Sequence, residues 1–211
     1  MTETSTLTIP SFVIERAMTQ GLTYEQYMAA ARAHAEATDP ATLDDEARHL
    51  HEVTLLNFRR SDRIERTFQP SENLRRAIAA IREPQVWMVI SESWCGDSAQ
   101  NLPHIMRLAS LNSMIDLRIL ERDTHPDVMD AFLTGTARSI PIFVAWDVEG
   151  RQLLRWGPRP AAGVRLVDEL KAAGKVKDEI LEQLHLWYGR NRGVDLEAEL
   201  LALLTPLVPS N

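Results

Sequence analysis

Short apolar runs alternate with helix-like patterns through the middle of the chain. The helical period is clearest after residue 96, where apolar residues recur at i, i+3, i+4 and i+7, namely Leu102, Ile105, Met106 and Ala109. Runs rich in β-branched and aromatic residues predict four strands, at residues 86–90, 115–120, 142–146 and 152–156. Strands that alternate with helices predict an α/β fold in which helices cover both faces of a central sheet.

The segment before this unit is predicted to be largely helical. Residues 1–10 have no periodic pattern and predict a loose tail, whereas residues 11–70 predict helices. Thr23 is positioned to cap one of these helices, and Pro40 separates it from the next. Ser71 is positioned to cap the first helix of the central unit.

The chain after residue 174 is predicted to form two more helices. The first has apolar residues spaced for a single buried face, namely Val176, Ile180, Leu181, Leu184 and Trp187. The second covers residues 196–204, and because neither segment can bury a core alone, both are expected to pack on the central unit. The predicted organisation is therefore an N-terminal helical extension, a central domain and C-terminal helices, at residues 1–70, 71–174 and 175–211.

Composition narrows the range of partners. Hydrophobic residues make up 45% of the chain and charged residues 25%, which is ordinary for a globular protein. The net charge of −7 argues against nucleic acid as the main partner, since phosphate binding needs a basic field. The chain shows no signal-peptide pattern and no membrane-length apolar stretch, and a single cysteine permits no internal disulfide. We expect a cytoplasmic protein with no membrane partner, and the oligomeric state stays open.

Cys95, the only cysteine, is the most informative residue in the chain. It lies between a predicted strand and a predicted helix, beside the positive end of the helix dipole. Unpaired backbone N–H groups at that end stabilise a thiolate, which is the nucleophilic form. Asp97 opposes this effect, because a nearby carboxylate disfavours a second negative charge. The alternative interpretation is an inert, buried cysteine that packs as a small hydrophobic residue.

The residues around Cys95 resemble the active site of the thioredoxin-like superfamily. The run W-C-G-D-S at 94–98 has serine where the second cysteine of the family motif stands. Pro103 falls eight residues after Cys95, where thioredoxins carry a proline in the first active-site helix. With the helical N-terminal extension, this monothiol C-G-D-S motif is similar to a group of bacterial thioredoxin-family proteins. The resemblance spans about residues 73–174.

The second half of the domain carries further resemblances. Ile140-Pro141, ahead of an apolar strand, resembles the segment that leads into the family's cis-proline, and Gly157 matches the glycine that closes the site. The resemblance implies a thioredoxin-like fold, with a central mixed sheet and helices on both faces. It also implies that the Ile140–Pro141 bond is cis and that the Ile140 backbone pairs with an extended peptide as an added strand.

The resemblance gives the remaining candidate residues their roles. Cys95 is the expected nucleophile, and Ser98 is expected to donate a hydrogen bond to its thiolate or to be an ordinary first-turn residue. Trp94 either offers a flat surface beside the thiol or simply packs, and Gly96 permits close approach of a partner backbone.

Arg138 and Arg159 flank the site by the same resemblance. A cation there lowers the pKa of a cysteine and binds a carboxylate such as those of glutathione. The alternative for both is a surface arginine paired with a local acid.

Two departures from the family bear on the chemistry. Val89 occupies the position, six residues before the cysteine, where thioredoxins carry a buried aspartate that assists proton transfer. Ser98 cannot replace the missing second cysteine, because a hydroxyl is too weakly acidic to attack a disulfide at neutral pH. Glu92 is a candidate base, and the alternative is a solvated carboxylate at the strand end.

Four arginines recur on roughly one side of the helix predicted before residue 70. They indicate either an anion-binding patch or a solvated face that the neighbouring Asp62 and Glu65 balance. The four are Arg59, Arg60, Arg63 and Arg66. The six histidines show no metal-ligand spacing, so no metal and no resident cofactor are expected.

Three functions compete. The first is a monothiol thiol–disulfide oxidoreductase, in which Cys95 forms mixed disulfides with glutathione or protein thiols that an external thiol resolves. The second is a non-catalytic binding module that recognises an extended peptide or a partner protein. The third is iron–sulfur handling, by resemblance to monothiol glutaredoxins, although Ser139-Ile140 stands where they carry threonine–valine. A Cys95 pKa well below that of free cysteine favours the first function, and a raised pKa favours the second.

Overall fold

The computed structural model describes residues 7–207, which fold around a four-stranded sheet. The strands are β1 (Gln85–Ser91), β2 (Ile115–Glu121), β3 (Ile142–Asp147) and β4 (Gln152–Trp156). The helices are α1 (Ser11–Gln20), α2 (Tyr24–Ala37), α3 (Asp45–Thr67), α4 (Glu72–Ala79), α5 (Gly96–Ala109), α6 (Pro126–Asp130), α7 (Ala161–Ala172), α8 (Lys177–Asn191) and α9 (Val194–Leu204). Short 3₁₀ turns occupy Pro40–Thr42 and Thr205–Leu207.

The sheet is mixed, with strand order β2-β1-β3-β4. β1 is parallel to β2 and antiparallel to β3, and β3 is antiparallel to β4. The four strands predicted from the sequence are confirmed, and so is the α/β class with helices on both faces. β1 is buried on both sides because its successive side chains enter opposite cores: Trp87 and Val89 lie in one cluster, Met88 and Ile90 in the other.

The two faces of the sheet carry different helices. Side chains from α2, α4, α5 and α9 form the larger core with one face, and α1 and α6 pack on the other. α3 lies along α5, and α7 packs with α8 around a separate small cluster that includes Val167, Leu184 and Tyr188. Helices from both ends of the chain therefore pack against the central unit.

The predicted helix caps are observed. Thr23 accepts a hydrogen bond from Gln26 N, while the Gln26 side chain accepts one from Thr23 N, which completes a capping box. Ser71 Oγ accepts a hydrogen bond from Leu74 N at the beginning of α4.

The prediction of a loose tail over residues 1–10 is wrong for its described part. Gln152 N donates a 2.8 Å hydrogen bond to Leu7 O, and Ile9 N donates one of the same length to Gly150 O. Ile9 is buried in the α1 side of the core. This segment is therefore fixed along the β3–β4 hairpin by its backbone, and residues 1–6 lie outside the described residues.

The buried face predicted for the first C-terminal helix is also partly wrong. Val176 precedes α8 as its N-cap and is exposed, and Leu181 is exposed as well. The buried side chains are Ile180, Leu184 and Tyr188, because α8 packs on α7 along a narrow stripe.

Candidate functional site

Cys95 is the N-cap residue of α5, directly after the loop that follows β1. Its Sγ accepts a hydrogen bond from Ser98 N at 3.5 Å, and the thiol donates one to Ile140 O at 3.4 Å. The Ile140–Pro141 peptide bond is cis. The tertiary fold therefore brings Cys95, Ser98 and the Ile140-Pro141 segment together, although 45 positions separate Cys95 from Ile140.

The Cys95 thiol is buried and is protonated at neutral pH. Cys95 is 8% exposed. Burial raises its pKa to about 11, and the Asp97 carboxylate adds to the increase. The Ser98 side chain and backbone N–H act in the opposite direction, but the hydroxyl forms no hydrogen bond of ordinary geometry with a described residue. The expected stabilisation of a thiolate by the helix end is thus outweighed by desolvation.

Asp97 is the centre of a buried polar network beside Cys95. The Arg159 guanidinium binds both carboxylate oxygens of Asp97 and forms a salt bridge with it. The Tyr188 hydroxyl donates a 2.6 Å hydrogen bond to Asp97 Oδ1. Asn101 Nδ2 donates to the Tyr188 hydroxyl at 3.0 Å and to Asp97 O at 2.8 Å. This network joins α5, the loop after β4 and α8.

The two candidate arginines thus differ in position. Arg159 lies at the site and its charge is paired with Asp97, while burial of the thiol is the main reason that the Cys95 pKa is raised. Arg138 forms two 2.7 Å hydrogen bonds with Asp130 on an exposed surface. Its guanidinium is therefore held by a local acid, which is the alternative given for it above.

Helix α8 also covers Gly96. A Cβ added to Gly96 would lie 2.6 Å from His185 Cε1, so a larger residue would displace the His185 ring. The contact that Gly96 makes in this structure is therefore with the chain's own C-terminal helix.

The loop before Cys95 is held from two other directions. Asn57 on α3 donates a 3.0 Å hydrogen bond to Ser93 O. The Arg122 guanidinium lies 4.6 Å from the centre of the Trp94 ring, and its Nη1 donates to Arg138 O at 3.4 Å. Trp94 is thus partly covered by a cation rather than open as a flat surface.

Glu92 is buried, which excludes the solvated carboxylate considered above. Its Oε1 accepts a 2.8 Å hydrogen bond from Asp123 N. Burial raises the Glu92 pKa to about 7, so this carboxyl exchanges its proton near neutral pH. Val89, at the position of the family aspartate, is fully buried among apolar side chains.

Gly157 closes the site at the end of β4 through a backbone that favours glycine. Its φ is 121°, and an added Cβ would lie 2.2 Å from Pro141 O. We expect Gly157→Ala to destabilise the protein for two reasons. The positive φ strains the backbone of alanine, and the methyl group displaces the Ile140-Pro141 segment, which adds about 1–3 kcal/mol to the loss of stability. Urea unfolding measures the difference.

Gly174→Ala is the matched control for this substitution. Gly174 also has a positive φ, of 75°, but nothing lies within 4 Å of an added Cβ. The loss of stability of the Gly174→Ala variant therefore comes from backbone strain only and is expected to be about 1 kcal/mol. Equal losses for the two variants would contradict the close contact between Gly157 and Pro141.

Sequence reasoning missed the partners of Asp97. Tyr188 belongs to the C-terminal helix, and no motif spacing connects it with residue 97. Within residues 7–207, no group of three or more His, Cys, Asp or Glu side chains could hold a metal ion. Over the same residues, no helix combines the length and apolar character that crossing a membrane requires.

Comparison with known proteins gives a family and a fold. The family described as Thioredoxin matches residues 44–171, which is more than half of the chain. The crystal structure of an HIV epitope-scaffold is 19% identical, with a TM-score of 0.57, and the match covers 91% of this chain and 97% of that one. A protein of unknown function from Pseudomonas aeruginosa is 18% identical, with a TM-score of 0.54 and coverage of 89% and 99%. No curated protein matches the sequence.

Proposed function

The chain belongs to the thioredoxin family, and from this premise we propose that it is a monothiol member that forms mixed disulfides through Cys95. The observation that supports the proposal most is the position of the sulfur. Sγ lies at the N-cap of α5, between Ser98 N and the carbonyl oxygen of Ile140, next to the cis bond. A thiol in this position is oriented toward the groove in which thioredoxin-fold proteins meet their partners.

The proposed reaction needs an external thiol for completion. The Cys95 thiolate attacks one sulfur of a disulfide such as oxidised glutathione, a new S–S bond forms, and the other sulfur leaves as a thiolate. A second, external thiolate then attacks the mixed disulfide and restores Cys95. Ser98 takes no part in this exchange, and its backbone N–H stabilises the charged sulfur.

Glu92 is too weak a base to activate the thiol in this conformation. Its pKa of about 7 and the Cys95 pKa of about 11 differ by four units. Transfer of the proton from sulfur to this carboxylate is therefore unfavourable. We infer that exchange requires groups packed around the thiol, Trp94 and Ile140 among them, to move so that water reaches the sulfur and the desolvation penalty falls.

A binding module is the second candidate, and the raised Cys95 pKa favours it. In this function the scaffold recognises a partner protein or extended peptide without turnover. Ile140 is only 5% exposed, however, so strand addition at its backbone also requires neighbouring groups to move. Both functions therefore depend on opening of the same covered groove.

Oxidised glutathione distinguishes the two functions. Incubation of the folded protein at mildly alkaline pH is expected to give a persistent adduct at Cys95, because no second cysteine can resolve it. Ser98→Cys is expected to release the adduct and close an internal disulfide, since residues one helical turn apart lie within disulfide reach. Intact-mass spectrometry follows both species.

Ser110→Cys is the control, because Ser110 is exposed at the opposite end of α5. It adds a thiol without placing it beside Cys95, so the adduct at Cys95 should persist. If the folded wild type forms no adduct while the urea-unfolded protein does, the thiol is closed and the binding module becomes the better proposal.

A further inference from the structure

A cavity with both polar and apolar walls lies between helices from both ends of the chain. It has a volume of about 580 Å³, and its walls come from the end of α3, the middle of α5 and the turn from α8 to α9. This volume falls within the range of small-molecule sites. Cys95 does not line the cavity, but Asn101 and Tyr188 do, so the cavity adjoins the Asp97 network without including the thiol.

The wall formed by α5 presents an amide to the cavity. Gln100 lines the cavity and is 4% exposed as a whole residue. Its amide atoms are not among the enclosed side-chain atoms that lack a partner, so they are open to the cavity. Water or a ligand in the cavity can therefore hydrogen-bond to this amide. His104, one turn further along α5, lines the same cavity and is neutral at pH 7, since burial lowers its pKa to about 4.

Two arginines line the cavity with their charges uncompensated. Neither Arg63 nor Arg192 forms a salt bridge with a described residue. The acids that would balance Arg63 along α3 are engaged with α2 instead: Asp62 binds Arg32, and Glu65 accepts a hydrogen bond from Tyr24. Arg63 is exposed, as the solvated-face interpretation expects, but neither Asp62 nor Glu65 forms a salt bridge with it.

Arg192 occupies a position that favours glycine. Its φ of 52° makes it the single non-glycine residue with a positive φ within residues 7–207. A side chain there costs about 1 kcal/mol relative to glycine. Gly193 follows, and an added Cβ there would lie 2.4 Å from His104 Nε2, so the turn packs closely on α5. Arg192 lines the cavity together with Arg63 of α3.

Glu197 is the acidic side chain of the cavity wall, and it is already engaged. Its Oε2 accepts a hydrogen bond from Ser71 N. With two guanidinium groups against one carboxylate, the cavity is cationic in a chain whose net charge is −7. A local field of this sign attracts small anions.

We propose that this cavity binds a small organic anion that bears a carboxylate or phosphate group, held by Arg63 and Arg192 and hydrogen-bonded to the Gln100 amide. Guanidinium groups bind both anions through paired hydrogen bonds, which suits an opening with an arginine on each of two walls. The proposal does not depend on any thiol chemistry of Cys95.

Calorimetric titration of the full chain with inorganic phosphate and with succinate tests the site, against sodium chloride at matched ionic strength. We expect at least one of the two anions to bind with a stoichiometry of one. Arg63→Ala and Arg192→Ala should each weaken binding about tenfold or more, since each removes a charge-assisted hydrogen bond. Phosphate binding alone identifies a phosphate ligand, and succinate binding alone identifies a carboxylate.

Arg66→Ala is the matched control, because Arg66 is exposed on the same helix and does not line the cavity. The affinity of the Arg66→Ala variant for the two anions should equal that of the wild type. The proposal is overturned if neither anion binds, or if Arg63→Ala and Arg192→Ala bind as tightly as Arg66→Ala. Circular dichroism confirms that each variant is folded, which is expected for substitutions of exposed side chains.

Discussion

Cys95 in the folded protein should react with iodoacetamide at pH 7 at least about 100-fold more slowly than an exposed cysteine. The reacting species is the thiolate, and a pKa of about 11 leaves very little of it at neutral pH. The rate should rise about tenfold per pH unit and level off only near pH 11, because the thiolate fraction rises in that proportion. Because the chain has a single cysteine, the total label incorporated measures this one residue.

The same protein unfolded in urea provides the control. Its thiol is solvated and separated from the folded surroundings of Asp97, so its rate should level off near the ordinary cysteine pKa of about 8.5. The ratio of the two rates at pH 7 then reports the protection given by the fold. A rate that levels off at or below pH 8.5 in the folded protein would contradict a buried, protonated thiol and would favour the reactive monothiol.

The alternation of strands and helices was predictable because burial determines it locally. β1 and β3 are apolar on both faces, and such runs of about six residues between polar segments are typical of central strands. The caps at Thr23 and Ser71 were predictable for the same reason, since each satisfies N–H groups only two or three residues away.

The segment along the β3–β4 hairpin could not be predicted in this way. Residues 7–9 pair through backbone atoms, and a bridge between Thr8 and Arg151 leaves no periodic pattern in such a short run. For Val176 and Leu181, the helical period was correct, but the angle at which α8 meets α7 decides which stripe is buried.

The electrostatics of the site depend on contacts that have no sequence signal. Asp97 and Arg159 are 62 positions apart, and Asp97 and Tyr188 are 91 positions apart. The sequence correctly predicts that the Asp97 carboxylate disfavours the Cys95 thiolate. It does not predict that the Arg159 guanidinium and the Tyr188 hydroxyl bind this carboxylate. From the sequence, Arg159 is a free cation that favours the thiolate, whereas burial of the thiol, which has no sequence signal either, is the main cause of the raised Cys95 pKa.

This network also joins α8 to the first turn of α5. Tyr188 belongs to α8, and so does His185, which lies against Gly96. The hydrogen bond from Tyr188 to Asp97 therefore holds α8 over the beginning of α5. The same carboxylate holds α8 in place and, after burial of the thiol, makes the second contribution to the raised Cys95 pKa.

Asp97→Asn should both destabilise the protein and make Cys95 more reactive. The substitution keeps the shape but removes the charge that pairs with Arg159, and loss of one partner of a largely buried pair costs about 2–4 kcal/mol, allowing for the partial exposure of Arg159. Cys95 loses a like charge and gains an unpaired cation beside it, so its pKa falls. We expect iodoacetamide labelling at pH 8 to be about tenfold faster or more, measured together with urea unfolding.

Tyr188→Phe separates the two effects of the carboxylate. It removes one hydrogen bond to Asp97 and costs about 1–3 kcal/mol, but it leaves the charge of Asp97 and its pairing with Arg159 in place. If charge controls the thiol, Tyr188→Phe loses stability while labelling of the folded protein keeps its steep rise to high pH. If both variants are labelled equally fast, the packing of α8 and not the charge of Asp97 determines the reactivity of Cys95. An Asp97→Asn variant with the stability and labelling rate of the wild type would contradict any role for this network.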